Sequence, residues 1–314
     1  MLRTFAAIAL LATGLTACSP DFFDQVIDID PPPHTPKITT FATLTNLDST
    51  TNVSVTRSFG LLEQKPDSAY YLRNAMVRIT ENGALWADLK ESRPSIGAIA
   101  YVSMQNKTPQ PGRTYEIIIS HPELGQASAV QTMPGPVKVT KTEAQANGGL
   151  GAFGDRFSAV YATIDDPPGE KNYYALGVSR VYFELYPIFD ANFNIIGYDT
   201  IGYSLQREWM EGSNDPAGLL GTNGEILFSD ELFDGQSYRL SGRFYNYDQD
   251  PGALVQIHVR HVTPEYYRFS VTEQRRVNAE DFPLAEPVTV FYNLQNGIGI
   301  FRMAYEQSFM TALK

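Results

Sequence analysis

Short runs of β-branched and aromatic residues recur along the chain, and turn-forming residues separate them. Between residues 38 and 133 these runs cover 38–45, 52–59, 75–80, 99–103, 115–120 and 127–131. Such spacing is typical of the strands of a β-sandwich. Asn82-Gly83 lies between two of the runs and favours a hairpin turn. We therefore predict an all-β fold.

Composition agrees with a strand-rich protein and excludes nucleic-acid binding and cysteine-based frameworks or metal sites. Aromatic residues make up 12% of the chain and charged residues only 19%, below the roughly 25% usual for globular domains. Lys and Arg number 24 against 35 Asp and Glu, a net charge of −11, which excludes binding along a nucleic-acid backbone. A single cysteine excludes a disulfide framework and a Cys-rich metal site.

The first 18 residues have the order of a lipoprotein signal peptide. Arg3 is the only charged residue before Cys18, and an apolar run over 5–12 follows it that is too short to span a bilayer. Small residues at 16 and 17 precede the cysteine, and this segment resembles a bacterial lipobox. The resemblance implies that 1–17 are removed and that Cys18 is acylated. The alternative is a plain secretory signal with an incidental cysteine.

Residues 18–36 predict an acidic tether, because they carry four Asp, no Lys or Arg, and three consecutive prolines. The residue after the cysteine is Ser19, and lipoprotein sorting rules associate a serine at this position with the outer membrane. Asp21 and Asp24 resemble surface-export signals of Bacteroidota lipoproteins. We expect a protein exposed at the cell surface and held to the outer-membrane bilayer by the acyl chains of Cys18.

Residues 133–136, Met-Pro-Gly-Pro, interrupt any regular element and predict a domain boundary. An N-terminal β-sandwich is expected over 37–134 and a larger, sandwich-like β domain over 135–314. Residues 204–212 and 264–275 are expected to be helical, and the flanks of a turn at 190–192 predict a long projecting hairpin. Strands of the second domain are predicted at 137–141, 157–164, 173–185, 195–204, 225–228, 238–244, 253–262 and 288–292.

Five phrases of the second half carry a family resemblance. They are DDPPGEKNYY at 165–174, LFDGQSY at 232–238, VTPEYYR at 262–268, FPLAEPV at 282–288 and FYNLQNGIGIF at 291–301. In this order the phrases resemble a Bacteroidota outer-membrane lipoprotein group, domain-of-unknown-function family 4249. The resemblance implies an immunoglobulin-like or transthyretin-like N-terminal sandwich, a larger C-terminal β domain and association with TonB-dependent receptors. It implies no catalytic residues.

Two motifs that suggest chemistry are better explained by structure. Gly297 and Gly299 permit close backbone approach and are expected to close a sheet, since no Lys-Ser/Thr pair supports a phosphate loop. His258 and His261 lie in a predicted strand, where residues i and i+3 point to opposite faces, so a shared zinc site is not expected.

Common hydrolase sequence signatures are absent, so we predict that the protein is not an enzyme. A pair of catalytic carboxylates that only the fold brings together remains an open alternative.

Calcium is the one cofactor that the sequence suggests. Asp165 and Asp166, and likewise Asp248 and Asp250, place hard oxygen ligands on Gly- and Pro-rich turns. Neither segment matches an EF-hand loop. A simply solvated acidic turn is the competing explanation.

A contact surface is predicted around the tip of the projecting hairpin. Tyr186, Phe189 and Phe193 lie near that tip, and Trp209 follows between charged residues. Exposed aromatic side chains anchor protein interfaces. The competing interpretation is that these side chains cap the core of their own domain.

These observations predict a binding module without catalysis. We expect a lipid-anchored accessory of a TonB-dependent outer-membrane receptor that helps to capture or gate a solute. The alternative is a structural, assembly or adhesion role in a larger envelope complex. An accessory predicts a receptor as its partner, whereas a scaffold predicts partners other than a transporter.

Overall fold

The computed structural model describes residues 33–314 except 61, 64, 67–68, 93–98, 105, 151–153, 155, 246–251 and 281–284. The predicted signal peptide, Cys18, most of the predicted tether, Asp248 and Asp250 lie outside the described residues. The described residues are mostly β, with 60% in strands and 8% helical, and several sheets pack as sandwiches. The all-β prediction is confirmed.

The described residues form a succession of strands interrupted by one long α-helix, α1 (Pro264–Glu280). The strands are β1 (Ile38–Thr45), β2 (Thr50–Val53), β3 (Val55–Arg57), β4 (Met76–Glu81), β5 (Ala84–Ser92), β6 (Ala100–Met104), β7 (Thr114–His121), β8 (Gly125–Thr132), β9 (Lys138–Leu150), β10 (Arg156–Asp165), β11 (Tyr173–Phe189), β12 (Ile195–Glu208), β13 (Met210–Gly212), β14 (Gly218–Gly221), β15 (Glu225–Ser229), β16 (Ser237–Tyr245), β17 (Leu254–Val262) and β18 (Gly297–Ala312).

A six-stranded antiparallel sheet follows the strand pattern of the N-terminal sequence. Its order is β2-β6-β5-β4-β7-β8. Val77, Ile79 and Ile117 are fully buried on one face, because successive side chains of a strand point to opposite faces. The predicted turn after β4 is confirmed, since Asn82 and Gly83 have φ angles of 49° and 82°. Positive φ at both central residues is what a type I′ hairpin requires.

An eight-stranded sheet joins the two ends of the described chain. Its order is β14-β15-β11-β17-β18-β1-β3, and β12 pairs with β11. β1 runs parallel to β18, with Ile38 opposite Gly297 and Thr45 opposite Ala304. Residues 36–58 and 65–314 form one compact unit. The boundary expected between 134 and 135 stays a prediction.

A four-stranded sheet, β13-β16-β10-β9, forms a sandwich with the eight-stranded sheet. Val160, Leu240 and Phe244 from the smaller sheet share one core with Leu176 and Ile257 from the larger. All five side chains are fully buried. The apolar runs of the sequence therefore meet between two sheets, as the alternation of strand side chains requires.

Helix α1 packs on the eight-stranded sheet. The Thr263 hydroxyl accepts the Tyr266 N–H at 3.4 Å and Pro264 begins the helix, both common at a helix start. Tyr266 is buried in a cluster with Val262 and Ala304. The predicted helix is confirmed and extends to Glu280. Within the described chain, no helix combines the length and apolarity needed to cross a membrane.

Two expectations about secondary structure are wrong. Residues 204–208 continue β12, where Glu208 pairs with Val178, and 210–212 form β13, so this segment is not helical. Residues 288–292 are irregular, and Val290 packs against Phe269 and Ile300. In both segments the tertiary partner outweighs local propensity.

Gly299 lies where β18 passes closest to β1. Its φ is +124°, and a Cβ atom added there would lie 1.9 Å from the carbonyl oxygen of Thr40. A Cβ atom on Gly297 would lie 2.8 Å from the carbonyl oxygen of Ile38. The predicted role of these two glycines, close approach of backbone to backbone, is confirmed.

Replacement of Gly299 by Ala should destabilise the protein by about 3 kcal/mol or more, because the new methyl group meets backbone rather than a side chain that can move. Gly197→Ala is the control, since a Cβ atom there meets nothing within 4 Å, and it should change stability by less than about 0.5 kcal/mol. Urea unfolding measures both. Equal stability of the two variants would contradict the close approach.

Candidate functional site

The hairpin of β11 and β12 extends past the sheet as a two-stranded ribbon. β11 pairs with β17 as far as Arg180, and its later residues pair only with β12. Among the described strands, β12 pairs with β11 alone. Residues 181–205 are named the ribbon here, and nine residues of β11 give it a length of about 30 Å. The predicted long hairpin is confirmed, and an isolated two-stranded hairpin is only marginally stable in water.

One face of the ribbon is apolar along its length. Residues that lie opposite each other in an antiparallel pair share a face. The pairs on this face are Val181↔Leu205, Phe183↔Tyr203, Leu185↔Thr200, Pro187↔Tyr198 and Phe189↔Ile195. Six of these side chains are between 48% and 59% exposed: Phe183, Leu185, Phe189, Ile195, Tyr198 and Tyr203. A contiguous exposed apolar surface marks a place where another molecule binds.

The contact residues predicted from the sequence are exposed but occupy different places. Phe189 lies on the apolar face, Tyr186 points to the other face, and Phe193, at the tip, is 85% exposed. Trp209 lies at the foot of the ribbon, where its ring packs against Gly224 and remains 64% exposed. None of the four is buried in a core. Their role in binding a partner stays a prediction.

A tight turn holds Phe193 at the tip. The Asp190 carboxylate accepts the N–H groups of Asn192 and Asn194 at 2.8 and 2.9 Å. The backbone hydrogen bond from Asn194 lowers the pKa of Asp190, which keeps the carboxylate charged. Phe193 has a φ of 61°, a conformation that bulky residues seldom adopt outside functional sites and tight turns.

A network of buried charges lies on the face of the eight-stranded sheet that bears α1. Glu225 is fully buried and accepts hydrogen bonds from Arg260 Nη1 at 2.8 Å and from the Tyr266 hydroxyl at 2.7 Å. Arg260 Nε donates to Glu306 at 2.6 Å. Arg260 and Glu306 lie directly opposite each other on β17 and β18. These four residues are named the ion network.

The ion network fixes the charge of its members. Burial by itself would raise the pKa of Glu306, but the hydrogen bond from His258 and the charge of Arg260 lower it to about 2. Burial and then Glu225 raise the pKa of the Tyr266 hydroxyl to about 12. Glu306 therefore stays ionised and Tyr266 stays protonated at neutral pH.

Ser179, His258 and Glu306 are linked in the order of a nucleophile triad. Ser179 Oγ lies 2.8 Å from His258 Nε2, and His258 Nδ1 lies 2.8 Å from the Glu306 carboxylate. Sequence motifs do not show this arrangement because the three residues come from separate strands. Ser179 is only 6% exposed, and its strand is paired on both sides. The neighbouring strands occupy the backbone hydrogen-bonding groups of Ser179, so its own N–H is not available to an oxyanion.

The side chains of His258 and His261, both on β17, point in different directions, as predicted. The ring of His258 joins the ion network, whereas His261 Nδ1 lies 2.9 Å from the carbonyl oxygen of Gly135. The ring of His261 also packs against Tyr174, with ring centroids 5.4 Å apart, and burial lowers its pKa. The two imidazoles share no site.

Asp166 lies in a group of three carboxylates with Asp230 and Asp234. The chain itself supplies partners to this group: the Tyr174 hydroxyl donates to Asp166, and the Asn172 N–H donates to Asp230 at 2.5 Å. Burial raises the pKa of Asp230. The carboxylates therefore order the turns around them.

The other calcium candidates lie elsewhere. Asp165 forms an exposed ion pair with Lys138 at 2.6 Å. Asp248 and Asp250 are outside the described residues. Calcium binding stays a prediction.

Comparison with known proteins identifies the family of this chain. Residues 24–309 match the family model described as Domain of unknown function (DUF4249). The chain belongs to this family, which confirms the resemblance to family 4249, whereas the grouping with Bacteroidota outer-membrane lipoproteins stays a prediction. The search of curated proteins gives no match.

One similar solved chain comes from a structure described as the complete structure of manganese lipoxygenase of Gaeumannomyces graminis and partial structure of zonadhesin of Komagataella pastoris. It is 10% identical, and the match covers 88% of this chain and 94% of that one. The TM-score of 0.20 is too low for any conclusion about fold or function.

Glu306→Gln tests the ion network. Because folding lowers the pKa of Glu306 from 4.5 to about 2, its ionised form stabilises the protein above about pH 4.5, and this stabilisation is lost as the pH falls toward about 2. Urea unfolding should show wild type about 3 kcal/mol more stable at neutral pH, with a smaller difference in acid. Glu280→Gln, at an exposed ion pair, is the control. A difference that does not change with pH would contradict this role.

Ser179 should not react with a fluorophosphonate probe, because its hydroxyl is buried and its own backbone N–H is paired within the sheet. Intact-mass spectrometry of the treated protein should show no adduct. An adduct on Ser179 that disappears in Ser179→Ala would instead make the Ser179–His258–Glu306 arrangement catalytic.

Proposed function

We propose that this protein is a non-catalytic lipoprotein of the outer membrane, anchored through Cys18, that docks onto an outer-membrane protein through the apolar face of its ribbon. The partner we propose is a TonB-dependent receptor, and the complex captures or gates a solute. The single observation that carries this proposal is the ribbon, which pairs with no other described strand beyond Arg180 and whose apolar face carries side chains that are about half exposed.

The ribbon is better suited to a protein partner than to the bilayer interior. Its outer edges carry N–H and C=O groups that pair with no described strand. In hydrocarbon each unsatisfied backbone group costs several kcal/mol, so open sheet edges do not enter lipid. A protein can supply both an apolar surface and a strand that pairs with such an edge.

The predicted anchor supports a partner in the same membrane. Seventeen residues lie between Cys18 and Pro36, where the compact unit begins, and a chain of that length reaches at most about 60 Å. A lipid-anchored body is thereby kept close to proteins embedded in the bilayer. Confinement of this kind raises the effective concentration of the partner.

The test is recovery of partners by affinity purification of tagged full-length protein from mildly solubilised outer membranes. Wild type should retain a stoichiometric β-barrel receptor, identified by mass spectrometry. The double variant Phe183→Ser/Phe189→Ser should recover it at least about 10-fold less, because the two aromatic anchors together contribute on the order of 2–4 kcal/mol. Leu232→Ser is the control, since Leu232 is 64% exposed away from the ribbon.

The stability of the double variant should be close to that of wild type, because Phe183 and Phe189 are 50% and 48% exposed and belong to no buried core cluster of the described chain. Recovery of the receptor by the double variant at the wild-type level would overturn the proposed contact surface. Recovery of assembly machinery in place of a receptor would favour the scaffold function instead.

A further inference from the structure

A polar cleft of about 360 Å³ lies beside the ion network. β1 contributes Thr43 and Thr45, β18 contributes Arg302, and Arg207 and Asn223 complete the side that faces away from the sheet core. The volume is within the range of sites for small molecules. Arg207, Arg260 and Arg302 outnumber Glu306, the one carboxylate among the lining residues, so the lining is cationic although the protein as a whole has a net charge of −11.

The three arginines of the cleft differ in how closely they pair with carboxylates. Arg260 is held between Glu225 and Glu306. Arg207 is 45% exposed and reaches Glu225 only at 3.4 Å. Arg302 forms no ion pair with any described carboxylate. Two guanidinium groups therefore face the cleft with donors to spare, since each carries five N–H groups.

Arg302 is nevertheless held in a fixed position. Its Nε donates to the Thr43 hydroxyl at 2.9 Å, and its Nη1 lies 3.3 Å from the Ser270 hydroxyl. The guanidinium stacks over the Tyr266 ring, 4.3 Å from the ring centroid. These contacts orient the group without neutralising it. The remaining donors, one N–H on Nη1 and two on Nη2, are preorganised for an anion, and the two terminal nitrogens together offer a fork.

We propose that this cleft binds the carboxylate group of a small ligand, with the Arg302 guanidinium as its principal partner and Arg207, Thr45 and Asn223 around it. A planar fork of N–H donors matches a carboxylate through two parallel hydrogen bonds. The ligand is a free organic acid or an acidic sugar, which share this group. The proposal does not depend on the ribbon or on its partner.

Isothermal titration calorimetry of purified full-length protein tests the site, with succinate, glucuronate, inorganic phosphate and chloride as probes at matched ionic strength. Succinate or glucuronate should bind. Arg302→Lys keeps the charge but removes the fork, and it should weaken binding by about 10-fold or more. Arg207→Gln should weaken binding by a smaller factor. Arg239→Gln, at an exposed pair with Glu143, should leave it unchanged.

Thr43→Val removes the hydroxyl that orients Arg302 and provides a second test if Arg302→Lys fails to fold. Preference for glucuronate over succinate identifies an acidic sugar, and the reverse identifies a free organic acid. Absence of binding by both carboxylates, equal affinity in the Arg302, Thr43 and Arg239 variants, or tighter binding of phosphate overturns the proposal. Receptor recovery by the Arg302 variant should equal wild type, so this test and that of the ribbon fail separately.

Discussion

The parallel pairing of β1 with β18 is the contact on which the remaining structure depends. It brings together residues about 260 positions apart, such as Thr43 and Arg302, and closing so long a loop has an entropic cost that local structure cannot offset. Gly297 and Gly299 let the two backbones approach. The Asn46 side chain adds two hydrogen bonds to the backbone of Glu306, at 2.6 and 3.1 Å. The proposed carboxylate cleft is a direct product of this pairing.

The ion network fixes how β17 and β18 align. Arg260 meets Glu306 in one register only, and a shift of either strand by one residue would turn its charged side chain to the opposite, apolar face. Buried charges are weak evidence for stability by themselves, but loss of one partner leaves the other uncompensated. Misaligned pairings of these strands are thereby disfavoured. Members of the same network line the cleft, and its hydrogen bonds hold the Tyr266 ring beneath Arg302.

The ribbon differs from the sheets that build the cores. In those sheets the alternation of strand side chains places one apolar face between layers, as at Val160 and Ile257. On the ribbon the same alternation produces an apolar face with no layer opposite it. Conflict between a local pattern and its surroundings is characteristic of functional sites. The ribbon and the cleft are separate surfaces of different chemistry, suited to a protein and to a small anion respectively.

The sequence alone determined the all-β class, most strand positions, the hairpin turn at Asn82, the helix beginning at Pro264 and the need for glycine at 297 and 299, because alternation, turn chemistry and capping are local. Only the tertiary structure decided that β1 joins β18, that 204–212 form strands, and that Ser179, His258 and Glu306 meet. The cleft around Arg302 and the partners of Asp166 were likewise invisible in the sequence. These features depend on which distant strands become neighbours, and no local pattern encodes that choice.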